Sequence, residues 1–171
     1  EMGDFDVVCL QEVARNFPDL KGSSGEDQFR ILSDAFPGYV MVEGIATDRL
    51  GANGKRSQFG NAILTRLPLL QSFLHLLPWP ADSNVPSMQR IVVESVLAGK
   101  SGPFRVSTTH LEYYSAIQRM AQVGRLRGLQ AEAAMHASDS TRRFGRRSVE
   151  GPFAAAPRPS SEPLRWLRSL S

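Results

Sequence analysis

The sequence of 171 residues has very little cysteine and no long apolar run. Its single cysteine, Cys9, excludes an internal disulfide framework. The longest apolar stretch, at 67–79, is interrupted by proline and polar residues, whereas a membrane-spanning helix needs roughly 20 apolar residues. We therefore expect no transmembrane segment. Walker loops, dinucleotide fingerprints, nucleophile elbows and Cys/His zinc spacings are also missing from the sequence, which excludes the enzyme classes that these motifs mark.

Positive charge is concentrated at the C-terminal end of the chain. Residues 1–124 carry 11 basic and 13 acidic side chains, a net charge of −2, whereas residues 125–171 carry 9 basic and 4 acidic ones, a net charge of +5. The overall pI near 9.4 is therefore weak support for nucleic-acid binding by the folded part. From residue 138 onward Arg, Pro, Ser and Ala dominate and periodicity is lost, which predicts a disordered tail at 138–171 after a domain at 1–137.

The first residue is Glu1 rather than Met, so we expect the natural start to lie upstream. The lack of a signal peptide is then uninformative, and localisation stays open, with the cytoplasm favoured. A monomer is expected.

Hydrophobic periodicity and turn residues predict an α/β protein. After a first strand that ends near Val13, the predicted elements are a helix at 26–36, strands at 39–42 and 59–66, a hairpin of strands at 91–97 and 104–109, and a helix at 115–137. Apolar and small residues between Ile117 and Met135 fall on one stripe of the last helix, which predicts that this stripe lies against a sheet.

The segment Asp6–Val13 carries the most information about function. An apolar run, in which Cys9 is expected to be a small buried side chain, leads into the carboxylate of Glu12. A carboxylate has no favourable place inside a buried strand unless it is paired or binds a metal ion. We therefore predict that Glu12 lies at the C-terminal edge of a parallel-type sheet, where α/β folds bind ligands. Either Glu12 binds a metal ion, or it opens a solvated loop or pairs with a nearby arginine.

His110 ends the β-rich run at 104–109 in the same way, so it is predicted to reach the same sheet edge as Glu12. A histidine there can be a general base, a charge stabiliser or a metal ligand, although a hydrogen-bonded structural role is the simpler alternative. Glu112 is predicted to face solvent or to start a helical turn.

Two weaker candidates lie between these segments. Gly60 lets another backbone come close, and Asn61 offers a donor and an acceptor to a phosphate or to a metal-bound water, although Gly-Asn is also a common turn or bulge. Arg90, just before the strand at 91–97, could place a guanidinium on a phosphate, and its alternative is an ordinary surface position.

These segments together resemble the endonuclease/exonuclease/phosphatase superfamily, also called DNase I-like. Asp6–Val13 is similar to its Leu-Gln-Glu metal strand, Gly60–Leu64 to its Gly-Asn strand, and Thr109–Leu111 to its His-Leu strand. The helix that contains Arg119, Gln122 and Leu126 resembles that of bacterial members, so the resemblance spans residues 4–137.

The resemblance implies a partial two-sheet α/β sandwich, incomplete at both ends, and Mg²⁺-dependent (or Mn²⁺-dependent) hydrolysis of a phosphate ester. Glu12 would bind the metal ion, His110 would stabilise the phosphoryl charge, Asn61 would hold the phosphate or the active-site network, and Arg90 would contact the phosphate. The substrate is expected to be a nucleic acid or a phospholipid or phosphosugar head group, and the sequence does not choose among them.

This sequence also departs from the family pattern. It lacks an Asn-bearing strand before the Leu-Gln-Glu strand, an Asp-x-Asn motif after the long helix, and a final Ser-Asp-His. These motifs supply water orientation and the acid–base pair in the family, so we expect impaired catalysis. The stretch Gly151–Glu162 resembles the family linker, and a frameshift near Glu162 would explain why Pro163–Arg168 stands where the family's next strand is expected. The alternatives are a non-catalytic remnant of the family and a weak nucleic-acid binder with a basic tail.

Overall fold

The computed structural model describes residues 4–51 and 54–143, with residues 138–143 described by their backbone alone. In chain order the elements are β1 (Val7–Arg15), α1 (Gln28–Ala35), β2 (Val40–Leu50), β3 (Arg56–Thr65), β4 (Leu69–Leu76), β5 (Ile91–Gly99), β6 (Gly102–Thr109) and α2 (Ala116–Arg143). The strands form two three-stranded sheets with the orders β1-β3-β2 and β4-β5-β6. The predicted two-sheet α/β class is confirmed.

The prediction of a parallel-type sheet is wrong, because every strand pair in the described part of the chain is antiparallel. The physical reason lies in the short connections between β2 and β3 and between β5 and β6, which reverse the chain and leave no room for a crossover. The predicted hairpin is confirmed as β5 and β6. β2 continues to Leu50, beyond the strand predicted at 39–42, and β4 was not predicted.

Cys9 is exposed, which corrects the prediction that it is buried. Among the described residues β1 pairs only with β3, so it is an edge strand of the sheet as described. An edge strand of an antiparallel sheet can leave one of its faces open to solvent. Cys9 and Gln11 are two residues apart, so they lie on the same, exposed face of β1.

The two sheets pack face to face through small groups of apolar residues. Val42 and Ile63 of the first sheet contact Val93 of the second, and Val93 and Ile63 are fully buried. Phe29 of α1 is buried against Val13 on the other side of the first sheet. These contacts fix the first sheet between α1 and the second sheet.

α2 buries a different face from the one predicted. Ile117 and Met120 are exposed, whereas Gln118, Gln122 and Leu129 are buried. The two glutamines are stable there because they bind loop carbonyl groups, among them Pro80 O, which accepts from Gln118 Nε2 at 2.9 Å. Apolar periodicity could not indicate this face, because its central residues are polar.

Ser115 defines the start of α2. Its hydroxyl oxygen accepts a hydrogen bond from the backbone N–H of Gln118 at 3.2 Å, which is the usual contact of a helix N-cap. The same hydroxyl donates to Asp82 Oδ2 at 2.6 Å. The first turn of α2 is therefore fixed to the loop that precedes β5.

Gly60 is required by the close approach of β3 to β2. A Cβ atom on Gly60 would lie 1.8 Å from the carbonyl oxygen of Gly44. The close backbone approach expected at Gly60 is therefore present.

We expect Gly60→Ala to lower the free energy of unfolding by about 3 kcal/mol, because strand backbone cannot move aside as a flexible side chain does. Gly124→Ala is the matched control: it lies in α2 with no atom within 4 Å of its added Cβ, and it should raise stability by about 1 kcal/mol. Urea denaturation measures both. Equal effects of the two substitutions would contradict the predicted strand contact.

The chain divides into two compact units, Glu1–Gln130 and Ala131–Ser171. The sheets, α1 and the first part of α2 belong to the first unit, and the described part of the second is the remainder of α2. α2 continues past its predicted end at residue 137. The predicted disordered or frameshifted tail lies outside the described residues from 144 onward, so the division at 138 stays a prediction. As expected, the described residues contain no helix with the length and apolar character needed to cross a bilayer.

Candidate active site

A β-bulge in β1 presents Glu12. Leu10 pairs with Ala62 and Val13 pairs with Gly60, so Gln11 and Glu12 together lie opposite Asn61. The backbone of Glu12 has a φ of 59°, in the left-handed region that non-glycine residues rarely occupy. Strain of this kind is found where a side chain must be aimed at a functional site, and bulges serve the same purpose. Glu12 therefore lies inside β1 at a bulge, not at the end of a strand as predicted.

His110 brings the second sheet to Glu12. Its Nδ1 atom lies 3.1 Å from Glu12 Oε1, and the Glu12 side chain is 60% exposed. Gln11 Nε2 donates to the backbone oxygen of Thr109 at 2.5 Å and joins the same two strands. The predicted meeting of Glu12 and His110 is thus present, although it lies between two antiparallel sheets.

Arg90 contacts the same nitrogen of His110. Arg90 Nη1 lies 3.3 Å from His110 Nδ1, and Arg90 is almost entirely buried. A guanidinium can only donate, so Nδ1 must accept in this contact, whereas a hydrogen bond to the Glu12 carboxylate requires a proton on Nδ1. Arg90 and Glu12 therefore favour opposite tautomers of the His110 ring. The alternative of a surface position for Arg90 is wrong.

Glu112 is fully buried, which corrects the prediction that it faces solvent or starts a helical turn. Its Oε2 accepts from Arg90 Nε at 3.1 Å, its Oε1 accepts from the Tyr114 amide at 3.0 Å, and its own amide donates to Gln122 Oε1 at 2.8 Å. Burial raises the pKa of Glu112, but the Tyr114 amide, the charge of Arg90 and the Met88 amide outweigh burial, so the pKa lies below its usual value. Glu112 is therefore the anion that holds Arg90 beside His110.

Asn61 connects the two sheets at the site. Its Nδ2 donates to the carbonyl oxygen of Ile91 at 3.0 Å, and the hydroxyl of Thr109 donates to the same oxygen at 2.9 Å. Asn61 is buried, and one of its donor protons is committed to this bond. A direct contact of Asn61 with a phosphate stays a prediction.

An open pocket of about 640 Å³ lies beside His110. Its lining residues are His110, Leu111, Glu112, Tyr113, Tyr114 and Arg119. Binding pockets for small molecules commonly measure about 300–1,000 Å³. The pocket is therefore large enough to hold a group attached to an atom that reacts at His110.

The donor atoms around Glu12 fit a divalent cation in a limited way. Mg²⁺ is commonly held by one or two carboxylates, with waters and phosphate oxygens as its other ligands. Within residues 4–51 and 54–137, no group of three or more His, Cys, Asp or Glu side chains could hold a metal ion. Glu112 is committed to Arg90, so Glu12 supplies the available carboxylate. Mg²⁺ or Mn²⁺ therefore fits here only if a substrate phosphate and water complete its coordination.

The crystal structure of an endonuclease/exonuclease/phosphatase from Beutenbergia cavernae is similar to this chain, with a TM-score of 0.53 and 28% sequence identity. The resemblance to the endonuclease/exonuclease/phosphatase superfamily is confirmed. The similarity covers 71% of this chain and 33% of the Beutenbergia chain, so this chain spans only part of its neighbour's length. The two sheets and their helices are consistent with a partial DNase I-like fold. No protein-family model and no curated protein matches the sequence.

Sequence reasoning found Glu12, His110 and Arg90, which the structure brings together, but it missed Glu112 as a site residue. The sequence contained part of the evidence for Glu112. Glu112 follows His110 by two residues, and Arg90 needed a buried anion as a partner. The superfamily resemblance therefore located the three groups that meet at His110 better than the buried carboxylate that holds Arg90 in place.

Proposed function

We propose that this domain is a metal-dependent phosphoester hydrolase of the phosphodiesterase or nuclease type, with Mg²⁺ or Mn²⁺ as its cofactor. The observation that carries the proposal is the contact of Glu12 with His110 at 3.1 Å, made at a strained bulge. The likeness to a solved superfamily member supports the reaction class.

Glu12 would hold the metal ion, which when bound polarises the phosphoryl group and stabilises the leaving oxygen. A Glu12 carboxylate that held the ion would no longer compete for His110 Nδ1. Nδ1 would then accept from Arg90, and the ring proton would reside on Nε2. In this tautomer His110 donates a hydrogen bond from Nε2 to a phosphoryl oxygen, and this hydrogen bond strengthens as negative charge develops.

Arg90 acts through His110 in this proposal. Both contacts described for its guanidinium, to Glu112 and to His110, are inside the protein. The predicted direct contact with the phosphate is therefore the weaker role for Arg90, and the positioning of His110 is the stronger one.

A second candidate is a non-catalytic remnant that binds the cation and the phosphate without turnover. The limited set of carboxylate donors among the described residues favours it. The two candidates share ligand binding and differ in turnover, so a kinetic measurement separates them.

We expect the purified protein to hydrolyse bis(p-nitrophenyl) phosphate slowly in Mg²⁺ or Mn²⁺. EDTA should reduce the rate to that of the buffer, and excess Mg²⁺ should restore it. His110→Ala should lower the rate by on the order of 100-fold, because it removes the donor to the phosphoryl oxygen. His75→Ala, which replaces a histidine of β4 stacked on Phe73, is the matched control and should keep the rate. Turnover that persists in EDTA would contradict metal dependence, and no turnover in either metal would favour the remnant.

A further inference from the structure

The Tyr113–Tyr114 pair forms a second functional feature of the pocket. We propose that these two rings bind a planar aromatic group, a nucleobase, carried by the phosphoester whose phosphate lies at His110. This inference rests on the proposed function and adds the substrate class, a nucleotide unit, to it.

The rings of Tyr113 and Tyr114 line the pocket and are exposed to solvent. Tyr113 is 75% exposed and Tyr114 is 61% exposed. Their ring centroids are 5.1 Å apart with an interplanar angle of 89°, an edge-to-face arrangement. In this arrangement the rings leave π-faces open to a ligand, and a base stacks on such a face whatever its identity.

The proposed phosphate site and the two rings belong to one pocket. His110, Leu111, Glu112 and the two tyrosines line it, and its volume is about 640 Å³. In a nucleotide a sugar separates the phosphate from the base, and this pocket has the volume for both groups. A ligand with its phosphate at His110 can therefore reach the rings without leaving the pocket.

The segment that carries the rings is held in place. The Tyr114 amide donates to Glu112 Oε1 at 3.0 Å. Arg119 Nη1 donates to the carbonyl oxygens of Glu112 and Tyr113, at 2.9 and 2.8 Å. A platform fixed before the ligand arrives loses less entropy on binding than a mobile loop does.

The charges of the pocket select among ligand classes. Two tyrosine rings could also hold a quaternary ammonium group through cation–π contacts, but the guanidinium of Arg119 lines the same pocket and repels a cation. A multiply phosphorylated sugar needs several free cationic side chains, and Nη1 of Arg119 is engaged with backbone carbonyls. A flat uncharged ring that follows a single phosphate suits this combination best.

Isothermal titration calorimetry of the full chain, in Mg²⁺ and again in EDTA, tests the proposal. AMP should bind about tenfold more tightly than ribose 5-phosphate, which has the same phosphate and sugar without the base. The double variant Tyr113→Leu/Tyr114→Leu should remove this difference and leave the affinity for ribose 5-phosphate unchanged. Tyr113→Phe/Tyr114→Phe should retain it, because the π-faces remain. Phe104→Leu, which alters an exposed aromatic residue outside the pocket lining, should also retain it.

Several results would overturn the proposal: equal affinity for AMP and ribose 5-phosphate, no measurable binding of either in Mg²⁺ or in EDTA, an unchanged AMP affinity in the double leucine variant, or tighter binding of phosphocholine or of phosphatidylcholine vesicles than of AMP. Because these titrations measure binding with and without metal and need no turnover, their outcome is independent of the hydrolase assay. Base-dependent binding without turnover would refute the hydrolase and leave the nucleotide subsite standing. Turnover without base preference would do the reverse.

Discussion

Glu12→Gln is expected to lower Mg²⁺-dependent phosphodiester turnover by on the order of 100-fold, because it replaces the available carboxylate of the site with a neutral amide of the same shape. A metal ion that polarises a phosphoryl group contributes several kcal/mol to the reaction, and each 1.36 kcal/mol corresponds to about tenfold in rate. Initial rates over a Mg²⁺ titration measure the effect. The expected signature is a lower rate together with a higher Mg²⁺ requirement.

Asp34→Asn is the control for this substitution. Asp34 is an exposed carboxylate on α1, paired with Arg30 at 3.5 Å, and a surface pair of this kind contributes little. Its loss should leave turnover unchanged. An equal loss of activity in Asp34→Asn and Glu12→Gln, or an unchanged Mg²⁺ requirement in Glu12→Gln, would remove Glu12 from the metal site.

Glu12→Gly separates the carboxylate from the backbone conformation. Glycine accepts the φ of 59° without strain, so this substitution should raise the free energy of unfolding by about 1 kcal/mol while turnover falls as in Glu12→Gln. A gain in stability coupled to a loss of activity would mark the strain at the bulge as retained for function.

Glu112→Ala is expected to lower the free energy of unfolding by about 3–5 kcal/mol, because it leaves the Arg90 guanidinium buried without its counter-charge. His110 loses its positioning at the same time, so the remaining folded protein should also turn over more slowly. Chemical denaturation at neutral pH measures the stability. Asp48→Ala is the control: it breaks the exposed Arg56–Asp48 pair, which has a similar distance of 2.8 Å, and should cost less than about 1 kcal/mol.

The double variant Arg90→Met/Glu112→Leu checks the cause. With both charges replaced by apolar groups, no buried charge is left without a partner, so the double variant should be more stable than Glu112→Ala. If the double variant were as unstable as Glu112→Ala, lost packing rather than an unpaired charge would explain the effect.

The same pair predicts a pH dependence. Because the pKa of Glu112 is lower in the folded protein than its ordinary value near 4.5, Glu112 contributes full stability above that value and loses its contribution as the pH falls through the folded pKa. Denaturation midpoints between neutral pH and pH values below 4.5 should therefore fall more steeply for the wild type than for Arg90→Met/Glu112→Leu. Parallel curves would contradict this assignment.

The sequence predicted the two residues that meet at the site, Glu12 and His110, better than the strand pairing and the buried carboxylate that position them. The β-rich runs at Glu12 and His110 were enough to predict that the two side chains meet, although Glu12 lies inside β1 and not at its end. The antiparallel pairing and the bulge at Glu12 depend on which strands become neighbours, which no local pattern encodes. Glu112 was misplaced because a carboxylate near the start of a helix is usually solvated. Its burial depends on Arg90, a residue of another segment.

The face of α2 shows a second limit. Periodicity places apolar residues inward, but Gln118 is buried because the carbonyl group of Pro80 and the hydroxyl of Ser87 accept its amide protons. Tertiary hydrogen bonds of this kind override the apolar pattern, and they become visible only when the loops before β5 are in place.

The carbonyl oxygen of Ile91 has a consequence for amide exchange. It accepts a hydrogen bond from Asn61 of one sheet and from Thr109 of the other, so the two sheets share an acceptor beneath the site. Opening either sheet at this point breaks a bond of the other. We therefore expect the amides of β3 near Asn61 and those of β5 near Ile91 to exchange with deuterium at matched, slow rates, as one cooperative unit. Asn61→Ala should uncouple the two sets of rates.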